Sequence, residues 1–235
     1  MALPKQATPK YTCILPSDGQ EVEYRPFLVA EQKNLLIAQE QGDDDAMFKA
    51  VKDLIETCTF GKCKPNLLPV IDMEYLFLKI RAKSVGETAN LQVTCHDKEC
   101  EGHGEVVINL DDVEVVGDEP ENKIMINDEI GVELRYPRIG DIDSANLQEG
   151  QMSQTIDMLK RCMVTVYDQE NVFPTADSST QELDEFVDTL SMSQMELISN
   201  YFGSIPQLKK EVKSECVSCG KEITTTIQGL NNFFS

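Results

Sequence analysis

The spacing of apolar residues changes character along the chain, and each change marks a different element. Residues 11–25, "YTCILPSDGQEVEYR", read as two short strands around "PSDG", where proline, aspartate and glycine occupy turn positions. Residues 28–41, "LVAEQKNLLIAQEQ", read as a helix that mixes an apolar face with Glu31, Gln32, Lys33 and Asn34. Residues 45–58 place Met47, Phe48, Val51, Leu54, Ile55 and Cys58 at helical spacing, the cleanest amphipathic pattern in the sequence. Residues 58–70 form a loop with Gly61, Pro65 and Pro69, and 71–84, "IDMEYLFLKIRAKS", are then apolar nearly all round. A helix of that kind is buried on most sides or covered by a partner, with Gly86 as its stop signal.

The middle of the chain turns to short β-candidates, at 89–94, 104–110, 123–127 and 132–137, with turn residues between them. Helical spacing returns at 155–168, where Ile156, Leu159, Met163, Val166 and Tyr167 share a face. Two more helices are expected at 180–191 and 193–203. Ser179 with Glu182, and Ser193 with Glu196, have the spacing of capping boxes at their starts. "GDIDS" at 140–144 reads as a turn and helix start rather than a carboxylate metal site. The chain closes with strand, cysteine pair, strand and an aromatic tail in which Leu230, Phe233 and Phe234 need cover, from the protein's own core or from a partner.

Two stretches carry the candidate chemistry. In "VKSECVSCGKEITTTI" (212–227), Cys216 and Cys219 have C-x2-C spacing and are followed by Gly220. A turn of that length aims both sulfurs at one point, and the glycine permits a positive φ. In "VTCHDKECEGHGEVVINL" (93–110), Cys95 and Cys100 repeat the layout between strands, with His96 and His103 beside them. Four thiolates from two such hairpins suit a closed, tetrahedral, structural zinc site, with Cys95, Cys100, Cys216 and Cys219 as ligands. His96 and His103 are the substitute ligands, and an iron–sulfur cluster is the competing occupant of the same thiolates. Cys58 and Cys63 repeat the C-x4-C spacing and are reserve ligands only; Cys13, Cys58 and Cys162 read as core residues.

Composition narrows the function. There are 41 acidic and 21 basic residues, a net charge of -20, which disfavours phosphate backbones and anionic membranes as partners. The first twenty residues lack an apolar signal segment, and no apolar run is long enough to cross a bilayer, so synthesis and residence in cytosol are expected. Eight cysteines in a reducing compartment stay as thiols or bind metal rather than form a disulfide scaffold. There is no phosphate-binding glycine loop, and no nucleophile, base and orienting group fall together. The reading is of a protein without enzymatic activity.

Three long stretches, "LPSDGQEVEYRPFLVAEQKNLLIAQE" (15–40), "VIDMEYLFLKIRAKSVGE" (70–87) and "NYFGSIPQLKKEVKSECVSCGKEITTTIQGLNNFF" (200–234), are similar to one known family. The chain resembles the baseplate hub assembly proteins of T-even-type contractile-tailed bacteriophages, over nearly its whole length. The resemblance implies a virus tail protein that builds the baseplate hub, as an assembly factor or a minor hub component, through contacts with other hub and tail proteins. It implies action in the host cytoplasm during assembly and leaves open whether the chain stays in the finished virion. The alternatives from other classes are a zinc-ribbon adaptor in transcription and a metallohydrolase, which needs an open metal position.

The expected fold class is α+β: an antiparallel sheet with zinc-ribbon-like knuckle hairpins and packed helices. The expected organisation is one domain over 1–235. Within it, 88–138 and 207–235 form a β-rich knuckle part, and 26–87 and 139–206 are mainly helical.

Overall fold

The computed structural model describes residues 7–42, 44–97, 100–143 and 151–229. The tail residues Leu230, Phe233 and Phe234, and Ser144 of "GDIDS", lie outside the described residues. In chain order the elements are β1 (Tyr11–Ile14), β2 (Glu21–Tyr24), α1 (Val29–Gln41), α2 (Asp44–Cys58), α3 (Val70–Ser84), β3 (Thr88–Thr94), β4 (His103–Asn109) and β5 (Glu114–Val116). They continue with β6 (Lys123–Met125), β7 (Gly131–Leu134), α4 (Ile139–Asp143), α5 (Gln151–Cys162), β8 (Met163–Tyr167) and β9 (Val172–Pro174). The last are α6 (Thr180–Asp188), α7 (Met192–Ser204), β10 (Gln207–Glu215) and β11 (Glu222–Gln228). The fold is α+β, with several small antiparallel sheets rather than one large one.

The chain divides into two compact units, one of Met1–Pro65, Ile71–Val116 and Gln207–Ser235, the other of Asn66–Val70 and Gly117–Pro206. In the first, β1 and β2 pair as the expected hairpin, Tyr11 opposite Tyr24. Gly19 takes φ +70° in its turn. The apolar stripe of α2 is buried at Val51, Leu54, Ile55 and Cys58, and α3 buries eight residues around its circumference, as its sequence requires. Asp72 of α3 is buried among them and accepts hydrogen bonds from the Ser17 backbone N–H (3.0 Å) and the Ser17 hydroxyl, tying the hairpin turn to the helix. The β3–β4 hairpin, the β10–β11 hairpin and α3 share one core: Ile71, Leu78, Leu91, Ile108, Val212 and Ile227 are among its buried members. Strand β5 adds to β10 at Gln207–Lys209.

The second unit has its own sheet, ordered β6-β7-β8-β9, and its own core of Val132, Leu134, Leu159, Met163, Val187 and Ile198 among others. Residues 123–125 and 131–134, grouped by sequence with the knuckles, pair here with each other, and 131–134 also pair with 163–167. The helix expected over 155–168 is α5, which ends at Cys162, and "MVTVY" continues as β8. The reason lies in Val164, Thr165 and Val166: three β-branched residues in a row disfavour helix and pack well on a pleated sheet. Ser179 and Glu182 form the expected capping box of α6. The box of α7 sits two residues earlier than expected, formed by Ser191 with Gln194, so Ser193 lies inside the helix. Glutamine serves the N3 position as well as glutamate does. Asp141, at the start of α4, receives Arg135 through two bonds, Nη1–Oδ2 at 2.6 Å and Nη2–Oδ1 at 3.0 Å.

Candidate metal centre

The two cysteine hairpins meet. Strands β3 and β4 run in register from Thr88 opposite Asn109 to Thr94 opposite His103, which delivers Cys95 to the tip of the hairpin. Strands β10 and β11 pair from Lys209 opposite Gln228 to Glu215 opposite Glu222, which delivers Cys216 to the other tip. Bonds across the hairpins hold the tips together: Val217 N–H to His103 O at 2.9 Å and Ser214 Oγ to Glu105 O at 2.7 Å.

The sulfurs of Cys95, Cys100, Cys216 and Cys219 all lie within 4.8 Å of one another. Cys95 Sγ is 3.8 Å from Cys219 Sγ, and Cys100 Sγ is 3.6 Å from Cys216 Sγ. A disulfide requires about 2.05 Å, so these are not disulfides; all eight cysteines are free. Thiolates at about 2.3 Å from a central zinc, in tetrahedral array, stand about 3.8 Å apart. The observed separations fit a single ion. A cluster with two or four irons needs sulfurs spread wider than this group allows, since the four cysteines are then divided among separate irons. Such a group can hold a metal such as zinc, and four protein sulfurs leave no tetrahedral position for a reactive water.

The backbone around the sulfurs is arranged for thiolates. The N–H groups of Cys219 and Ser218 donate to Cys216 Sγ and bring that thiol down to about 6. At Cys100 the Gly102 N–H works in the same direction, but the sulfurs of Cys219 and Cys216 outweigh it and push the thiol up to about 12. At Cys95 the Asp97 N–H is likewise outweighed, by desolvation and by the neighbouring sulfurs, and the thiol sits above its ordinary value. Thiolates crowded this closely repel one another, and a dication at their centre removes the repulsion. Lys221 pairs with Asp97 beside the group and adds positive charge near Cys219 and Cys95.

The other ligand-type residues fall elsewhere. His96 Nε2 lies 3.1 Å from the Thr224 carbonyl oxygen, and His103 takes part in β4 pairing; neither belongs to the group of four. Cys58, Cys63 and Cys162 are buried in cores, and Cys13, in β1, is half-buried. Burial pushes the Cys58 thiol up to about 11 and the Cys162 thiol up to about 12, as for inert core cysteines. Two residues that position the centre went unnoticed in the sequence. A Cβ at Gly102 would meet Ser218 Oγ at 2.6 Å and Cys216 Sγ at 2.7 Å, and one at Gly104 would meet Ser214 Oγ at 2.6 Å. Only glycine lets the hairpins approach this closely. The signal available was a pair of glycines flanking His103, on the side of the loop where the partner hairpin sits.

Among the described residues no helix is long and apolar enough to cross a membrane. The architecture is that of a mixed α+β protein whose distant segments converge on a four-thiol cluster. The chain belongs to the family described as T4 bacteriophage base plate protein, whose model matches residues 8–235. No curated protein and no solved structure matches the chain. Membership makes it a bacteriophage baseplate protein, and the baseplate, a multiprotein assembly, supplies its partners.

Proposed function

We propose that the chain is an assembly protein of the baseplate hub, acting as an assembly factor or minor hub component without catalysis. It works by binding other hub and tail proteins in the host cytoplasm while tails are built. Zinc, held by Cys95, Cys100, Cys216 and Cys219, is its structural ion. The observation that supports this reading most is the family match over residues 8–235, joined to a thiol cluster that is closed by its own four ligands. A metal there links chain segments more than a hundred residues apart and stabilises the fold that presents the contacting surfaces.

The test is a phage lacking this gene. Infected cells should accumulate tails or baseplates arrested before the hub is complete, with this chain recovered in complexes with hub proteins when it is restored. Normal baseplates in its absence would overturn the assembly role. Full rescue by His96→Ala with His103→Ala is expected, since no chemistry is assigned to either ring.

A further inference from the structure

The four-stranded sheet of the second unit turns one face towards the core at Val132, and among the described residues its other face is partly exposed. Residues opposite one another in neighbouring antiparallel strands project to the same side. Ile124, Val132, Val166 and Phe173 form one such row, and Val132 is fully buried under the helices. The next row is Met125, Gly131, Tyr167 and Val172, and it faces outward. Met125 is 50% exposed and Val172 is 65% exposed. Tyr167 lies across Gly131, where an added Cβ would come within 2.3 Å of its Cζ and 2.4 Å of its hydroxyl oxygen, and that hydroxyl reaches Met125 Sδ at 3.6 Å. A glycine in the interior of a strand costs stability unless something uses the space. Here the space is taken by the Tyr167 ring, in the row that also holds exposed Met125 and exposed Val172. On the same outward side the neighbouring row is Lys123, Glu133, Thr165 and Pro174, which borders the apolar row with charged and polar groups.

Charge surrounds this apolar row. Residues 117–206 contain 18 Asp and Glu against five Lys and Arg, so this unit carries most of the net charge of -20. Arg135 is tied to Asp141, and Lys160 to Asp184 and Asp157. The turns next to the row, between β6 and β7 and between β8 and β9, bring exposed Asp128, Glu129 and Glu170 to its edge. An apolar centre with a charged rim is the anatomy of a protein interface. A second copy of this chain does not fit, because it would set carboxylates against carboxylates.

We propose that the Met125–Tyr167–Val172 row docks a segment of another baseplate protein that carries Lys or Arg beside apolar side chains. The apolar side chains lie on Met125 and Val172, a cation stacks on the Tyr167 ring, and the rim carboxylates meet the remaining positive charge. The proposal rests on the reading of the chain as a baseplate assembly protein.

The experiment uses the full chain, supplied during infection by a phage lacking its own copy, with a photo-crosslinking phenylalanine analogue at position 172. A control carries the analogue at exposed Thr226. Position 172, and not 226, should yield an adduct with a Lys- or Arg-bearing segment of another baseplate protein. Combining Asp128→Lys, Glu129→Lys and Glu170→Lys, all at exposed turn positions, should reduce that adduct about tenfold or more. An adduct with a second copy, with a segment lacking basic residues, or insensitive to the charge reversals would overturn the proposal, as would no adduct at all. Met125→Ser with Val172→Ser, which remove the apolar contacts without changing the charge, should lower phage yield about tenfold or more. Full rescue by that pair sinks the docking surface alone, whereas normal baseplates without the gene sink the assembly reading.

Discussion

Gly102 and Cys216 stand so close that a methyl group added to the glycine would meet the cysteine sulfur at 2.7 Å. They belong to different hairpins, so the contact measures how tightly the two halves of the thiol cluster are joined. Gly102→Ala forces the hairpins apart. It should cost about 1–3 kcal/mol by overpacking and weaken metal retention, read as faster loss of metal to a chelator. Unchanged stability and metal retention would show that the tips have slack.

Purified protein prepared without chelator should contain one zinc per chain by elemental analysis. Stripping it should lower the melting temperature, because metal binding and folding are coupled. Cys219→Ser should reduce zinc content and cost about 2–4 kcal/mol. Cys13→Ser, outside the cluster, should leave zinc content untouched. A chain with no stoichiometric metal, or a zinc content insensitive to Cys219→Ser, would defeat the assignment.

Arg135 and Asp141 set an acid limit for the second unit. Burial works to raise the Asp141 carboxyl, but the Arg135 guanidinium and the Arg138 N–H outweigh it and hold it below its ordinary value of 3.8. A depressed carboxyl contributes stability that is present above its unfolded value and is lost as pH falls through the folded one. Unfolding followed by denaturant should show this loss below about pH 4. Asp141→Asn should remove that dependence and cost about 2–3 kcal/mol at neutral pH, through loss of a largely buried bidentate pair.

Asp72 has the opposite sign. Burial raises its carboxyl, and the hydroxyl and N–H of Ser17 oppose the shift without cancelling it. Its contribution is therefore complete below the unfolded value and diminishes as pH rises through the folded one. Ser17→Ala removes a donor from a carboxylate that is 1% exposed and should destabilise the first unit by about 1–3 kcal/mol at neutral pH. The loss should shrink as the solution is acidified towards pH 4, where the protonated form has less need of the donor. A cost that is the same at both pH values would show that Asp72 does not change protonation between them.

Local chemistry alone determined much of this protein. The PSDG turn, the amphipathic stripe of α2, the all-round apolar surface of α3 and the knuckle spacing of Cys216 and Cys219 depend on residues near one another in sequence. Their periodicities and turn residues therefore read correctly. The grouping of Cys95 and Cys100 with Cys216 and Cys219 was legible too, because both pairs sit between strand patterns. Other features were decided in three dimensions. The β-branched run Val164–Val166 already favours a strand, but which strands flank it, β7 through Val132 and β9 through Phe173, was decided by the sheet. Strand β5 exists because β10 offers it an edge. Gly102 and Gly131 look alike in the sequence, yet one admits a neighbouring hairpin and the other seats the ring of Tyr167. The absence of a side chain carries no record of what will fill the space, and only tertiary packing names the neighbour.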